Sequence, residues 1–76
     1  MYYFYFTYFL DVPKSGAQCK NDGVTMSNAE LFPIGNVFTY FREEFGDDAE
    51  ITILSVVQIS EEDYEKLSKK IGTNDD

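Results

Sequence analysis

The first twelve residues constrain this chain most, because almost every one of them is apolar or aromatic. Seven of the first nine residues are Tyr or Phe, and the even-numbered positions are apolar without interruption from Tyr2 to Val12. Bulky planar side chains favour a strand over a helix, and period-two alternation is the pattern of a strand. A strand that is apolar on both faces usually lies in the middle of a sheet. The sequence therefore predicts a central strand over Tyr2–Val12.

A turn and a weaker strand follow. Pro13 to Gly16 predicts a chain reversal, because Pro fixes its own φ and Gly tolerates a positive one. A second strand is then expected to return antiparallel over Ala17–Met26. The turn-forming residues Asn21–Gly23 interrupt it and predict a bulge or a short extra hairpin. Such an irregular strand is typical of a sheet edge.

Helical periodicity begins near Pro33. We expect Pro33 at the first helical position or Asn36 as the cap, and Gly46 as an αL stop. The apolar stripe of this helix comprises Ile34, Val37, Phe38, Phe41 and Phe45. Glu50–Ile59 predicts a third strand, with one face formed by Ile51, Ile53, Val57 and Ile59 and the other by Thr52, Leu54, Val56 and Gln58. Ser60 is expected to cap a last helix that Gly72 ends.

These elements predict a single α+β domain over residues 1–72, in the order β-β-α-β-α, with a disordered tail at 73–76. A right-handed crossover leaves the third strand parallel to the second. Pairing it with the first strand gives an antiparallel three-stranded sheet in the order 2-1-3 and keeps the doubly apolar strand central. Both helices are expected to cover one face. The predicted shared core comprises Phe6, Phe38, Phe41, Ile53 and Leu67.

Charge is concentrated in the second half of the chain. Of 76 residues, 14 are acidic and six basic, for a net charge of −8. Residues 43–76 hold eleven of the acids and three lysines, and so carry the whole net charge. Such a field repels nucleic acids and anionic membranes. The expected acidic surface comprises Glu43, Glu44, Asp47, Asp48, Glu61 and Glu62.

The composition excludes several kinds of chemistry. The chain contains no His and a single Cys, so Ser-His and Cys-His nucleophile pairs, His-ligated zinc and internal disulfides cannot form. The acids lack the spacing of a calcium loop, and the glycines form no phosphate-binding pattern. Cys19 is expected to be a small apolar filler. We expect no metal, no cofactor, no small-molecule substrate and no enzymatic activity. Without a signal peptide or a spanning helix, the expected location is the cytoplasm.

The odd-numbered face of the first strand is the candidate interface. Its aromatic residues would lie uncovered if both helices pack on the other side, and exposed apolar patches usually mark partner surfaces. The predicted interface comprises Tyr3, Tyr5, Phe9, Leu54 and Val56. A homodimer or another protein partner on this face makes the chain a non-catalytic interaction module. A one-residue shift in the register of the third strand would turn Leu54 and Val56 inwards. The alternative is a small acidic inhibitor or nucleic-acid mimic that binds a basic protein groove.

Two segments, Ile51–Ser55 and Ile59–Tyr64, together with the opening Tyr-Tyr-Phe run, resemble a group of small bacterial proteins. These are encoded by short open reading frames of gut bacteria, their phages and mobile elements. The resemblance covers most of the chain in outline. It implies an accessory or phage-related role and assigns no activity to any residue.

Overall fold

The computed structural model describes the backbone of residues 1–72 and the side chains of residues 1–68; the predicted tail at 73–76 lies outside the described residues. The elements follow the predicted order. They are β1 (Tyr2–Val12), β2 (Ala17–Ser27), α1 (Ile34–Phe45), β3 (Glu50–Ile59) and α2 (Glu61–Gly72).

The sheet has the predicted architecture. Its strand order is β2-β1-β3, and β1 pairs antiparallel with both neighbours. The even-numbered side chains of β1 define what we call the even face, and its odd-numbered side chains define the odd face. The buried members of the even face are Phe4, Phe6, Tyr8, Leu10 and Val12. The predicted turn is confirmed: Gly16 adopts a φ of 73°, and its N–H donates to the Val12 carbonyl at 2.9 Å.

The expected interruption of β2 is wrong. The strand pairs with β1 in unbroken register from Ala17 to Ser27, and Gly23 lies directly opposite Phe6. A Cβ at position 23 would approach the Phe6 ring to 3.1 Å. Gly23 therefore makes room for a core ring rather than reversing the chain. The neighbouring Asn21 also lies within the strand, and its Oδ1 accepts a hydrogen bond from the N–H of Asp22 at 2.8 Å.

The first helix packs on the even face. The rings of Tyr8 and Phe41 are 4.7 Å apart between centroids, and Val37 is buried in the same core. Pro33 is the N-cap of α1, with φ −82° and ψ 69°, and not its first helical residue. Gly46 ends the helix as predicted, and its N–H donates to the Arg42 carbonyl at 2.8 Å. Its φ of 107° and ψ of 161° lie outside the αL region but remain accessible only to Gly.

The second helix packs on the odd face, so the expectation that both helices share one face is wrong. Tyr64 of α2 contacts Tyr3, an odd-face residue, with 4.8 Å between ring centroids. The even face at this end of the sheet is already covered by Phe32, whose ring lies 5.9 Å from Phe4 and 5.2 Å from Phe6. The chain leaving β3 therefore finds uncovered apolar surface only on the odd side.

This placement corrects the predicted core. Phe6 and Phe41 belong to it and Ile53 packs against it, whereas Leu67 lies on α2, away from it. Phe38 is half-buried, and the Arg42 guanidinium carbon lies 5.8 Å from its ring centroid. The predicted cap of α2 is confirmed, because the Asp63 N–H donates to Ser60 Oγ at 3.1 Å.

A β-bulge interrupts β3. Thr7 of β1 pairs with Ser55, but the next residue, Tyr8, pairs with Ile53, which leaves Leu54 as the extra residue. Because side chains alternate faces along a strand, one extra residue exchanges the faces of everything beyond it. The face assignment predicted for β3 is therefore correct only on one side of the bulge.

The core makes α1 essential to stability. Phe41 is 6% exposed and contacts Tyr8, so we expect Phe41→Ala to lower the free energy of unfolding by about 3–5 kcal/mol. Tyr40→Ala on the same helix removes a side chain that is 57% exposed and should cost much less. Chemical denaturation of both variants measures the difference. Equal losses in the two variants would contradict the assignment of Phe41 to the core.

Candidate functional site

The five residues of the predicted interface do not share one face. Tyr3, Tyr5 and Phe9 lie on the odd face, as predicted. Val56 lies directly opposite Phe6 and so belongs to the even face, while Leu54 is the bulge residue. The prediction failed at these two positions because it continued the period-two alternation through the bulge.

Val57 and Ile59 take their place on the odd face. Val57 lies opposite Tyr5 and Ile59 opposite Tyr3. Val57 is 54% exposed and Leu54 51% exposed, which is high for aliphatic side chains in a sheet. Adjacent apolar pairs, Ile53-Leu54 and Val56-Val57, break the alternation in the sequence. These pairs are the signal that could have located the bulge.

The second helix divides the odd face into a covered half and a bare half. It packs against β1 and β2, and Tyr64 covers Tyr3. The half formed by β1 and β3 lies to the side of this helix. We call its residues the β1–β3 patch: Tyr5, Thr7, Phe9, Ser55 and Val57. All are uncharged, and the Thr7 and Ser55 hydroxyl oxygens lie 2.6 Å apart in a hydrogen bond across the strands.

Two tyrosines of the odd face have perturbed titration. Tyr5 Oη donates to Asp22 Oδ2 at 2.8 Å, and this bond, followed by desolvation and the Asp22 charge, raises the pKa of Tyr5 above 10.0. Burial raises the pKa of Tyr3, with further contributions from the charges of Glu61 and Glu65. Both phenols are therefore stabilised in their neutral form.

The predicted acidic residues form two groups rather than one surface. Glu43 and Glu44 lie in the last turn of α1, and Asp47 and Asp48 follow it. Asp48 accepts the Lys14 N–H at 3.2 Å, which places this group at the hairpin end of the sheet. Glu61 and Glu62 begin α2 beside Tyr3, at the other end. Residues 3 and 11 of one strand are separated by about 26 Å. These six acidic residues therefore form no continuous strip, and the acidic-mimic alternative stays a prediction.

Within residues 1–72, no group of three or more His, Cys, Asp and Glu residues could hold a metal ion. None of the described helices is long and apolar enough to cross a membrane. Cys19 is a free thiol and is exposed, so the expectation that it fills apolar space is wrong.

Comparison with protein-family models, with curated proteins and with solved structures finds no match to this chain. The resemblance to small proteins of gut bacteria and their phages is untested by these comparisons and stays an expectation.

The bond between Tyr5 and Asp22 gives the odd face a pH dependence. A raised pKa in the folded state means that the neutral phenol stabilises the fold below pH 10.0 and that this stability is lost as pH rises through the folded-state pKa. We expect Asp22→Asn to lower the pH at which Tyr5 ionises. Titration of the Tyr5 ring carbons by NMR measures the shift. Asp11→Asn, also on the odd face, is the matched control, and identical Tyr5 titrations in both variants would contradict the assignment.

Proposed function

We propose that this chain is a non-catalytic, cytoplasmic protein-interaction module that self-associates through the β1–β3 patch. The observation that carries the proposal is the exposure of Val57. This β-branched residue lies on the odd face of the sheet and is 54% exposed. The free and exposed thiol of Cys19 suits a reducing compartment.

The patch has the composition of a covered surface. A sheet face that meets solvent is normally polar along much of its length. The β1–β3 patch instead combines Tyr5, Phe9 and Val57 with two small hydroxyl residues, and Leu54 adds exposed apolar surface at the adjoining edge. Exposed apolar patches of this kind mark interaction sites. Two copies packed face to face would place their sheets about 10 Å apart, as in a sandwich.

The charge distribution supports a second copy as the occupant. The six residues of the predicted acidic surface lie outside the patch. Asp22, opposite Thr7 on β2, adjoins it and accepts the Tyr5 hydroxyl, so this carboxylate is hydrogen-bonded within its own copy when two patches meet. The net charge of −8 on each copy still opposes association at long range. Because salt screens this repulsion over about 8 Å at physiological ionic strength, self-association should strengthen as salt is added. Binding of a basic partner would instead weaken as salt is added.

Sedimentation equilibrium tests the proposal. We expect the wild-type chain to form dimers at micromolar concentrations and to dimerise more tightly in physiological than in low salt. Val57→Lys should shift the protein to monomer by placing an unpaired charge in the interface. The matched control is Leu31→Lys, which adds the same charge at a loop position that is 72% exposed.

Circular dichroism of the same samples separates a lost interface from a lost fold. A folded wild-type protein that stays monomeric in both salts would overturn the proposal, as would equal dimerisation of the Val57→Lys and Leu31→Lys variants.

A further inference from the structure

A cavity of about 840 Å³ lies between α1 and the even face of the sheet at β2, and its lining extends past this face to Asp22, Val24 and Ser68 of α2. It is formed because β2 presents only short side chains towards α1, whereas the large residues of the core come from β1 and α1. The residues of β2 on this face are Ala17, Cys19, Asn21, Gly23, Thr25 and Ser27. The volume is within the range of small-molecule sites, about 300–1,000 Å³.

Aromatic rings form much of the cavity lining. Phe6 and Tyr8 contribute from β1, and Tyr40, Phe41 and Phe45 contribute from α1. The ring centroids of Tyr8 and Phe41 are 4.7 Å apart, and those of Tyr40 and Phe41 are 5.4 Å apart. Several ring faces and edges are therefore available to one bound molecule.

The hydroxyl of Tyr8 is an unsatisfied polar group in this cavity. Tyr8 is 8% exposed, and no group in the described part of the chain forms a hydrogen bond with its Oη. Buried hydroxyls normally have a hydrogen-bond partner. Burial raises the pKa of Tyr8, with further contributions from Cys19, Asp22 and Tyr40, so the group stays neutral and its oxygen can accept a hydrogen bond.

The charged side chains that line the cavity determine which ligand charge is favoured. Among the side chains that the structure describes, residues 1–68, the lining includes two carboxylates, Asp22 and Glu44, and no Lys or Arg. Asp22 accepts the hydroxyl of Tyr5 through one oxygen and keeps its negative charge, and Glu44 of α1 is the carboxylate without that internal bond. Aromatic rings attract a cation through their negative faces. Rings and carboxylate together therefore favour a cation and repel an anion.

We propose that this cavity is a binding site for a small organic amine: an ammonium group on an apolar, preferably aromatic, body. The ammonium donates a hydrogen bond to Tyr8 Oη and pairs with Glu44, while the apolar body packs among Tyr40, Phe41 and Phe45. The cavity lining shares no residue with the β1–β3 patch, and ligand binding there does not depend on self-association.

The probe is 2-phenylethylammonium, compared with three molecules of similar shape. These are its N-trimethylated derivative, which has no N–H donor, 2-phenylethanol, which has no charge, and 3-phenylpropanoate, which has the opposite charge. Titrations followed by amide NMR give both affinity and location. We expect the primary ammonium to bind most tightly and the carboxylate most weakly, with shifts at Gly23, Val37 and Tyr40.

Two variants assign the contacts. Tyr8→Phe keeps the ring and removes the hydroxyl, so it should lower affinity for the primary ammonium about fivefold while leaving the trimethylated probe unaffected. Glu44→Gln should lower affinity for both cations about fivefold and leave the alcohol unaffected. Glu43→Gln, a neighbouring exposed carboxylate outside the cavity lining, is the matched control.

The amide spectrum of each variant reports whether the fold is retained. Equal affinity for the ammonium, the alcohol and the carboxylate would overturn the proposal. Shifts confined to the β1–β3 patch, or losses of affinity in Glu43→Gln as large as those in Glu44→Gln, would overturn it as well.

Discussion

The whole structure depends on the central position of β1. Its even-numbered side chains include five of the eight buried core residues found in the described part of the chain, and its odd-numbered side chains are half-buried on the other side. A chain of this length buries only about 60% of its unfolded surface, so a strand that is buried on one face and half-buried on the other contributes a large share of the apolar burial. Each helix then packs on one face of that strand. Helix α1 contacts Tyr8 on the even face, and α2 contacts Tyr3 on the odd face.

The bulge at Leu54 decides which aliphatic residues lie on each face of the sheet. Without it, Val56 would lie beside Tyr5, and Val57 would face α1. With it, Val56 lies opposite Phe6, and Val57 is exposed on the odd face. One inserted residue therefore determines the chemistry of the β1–β3 patch. It also distorts the outer edge of β3, and irregular edges hinder pairing with the strands of other molecules. This geometry favours face-to-face contact over edge-to-edge contact.

The strand order could be predicted from the sequence for two reasons. The first strand is apolar on both of its faces, which favours a central position, and the Pro13–Gly16 turn makes β2 its antiparallel neighbour. The face of the sheet on which α2 packs could not be predicted in this way. It depends on Phe32, a loop residue whose ring packs against Phe4 and Phe6 and so covers the even face at that end. The register of β3 could not be read from alternation alone, since a bulge preserves the composition of a strand while exchanging its faces. The cavity was missed for a different reason: it results from short side chains on β2 facing long ones on α1, and each segment alone is unremarkable.

The cavity and the β1–β3 patch have the same physical origin. In a domain with so few buried side chains, α1 is centred over β1 and α2 lies towards β2, so apolar surface is left bare beside each helix. Uncovered apolar surface contributes nothing to folding, and any occupant that binds only the folded chain stabilises it by mass action. Because the two surfaces share no lining side chain, occupancy of one leaves the other sterically open. The hydrogen bond from Tyr5 of the patch to Asp22 of the cavity lining nevertheless links them, and groups in one hydrogen-bond network do not contribute additively to stability.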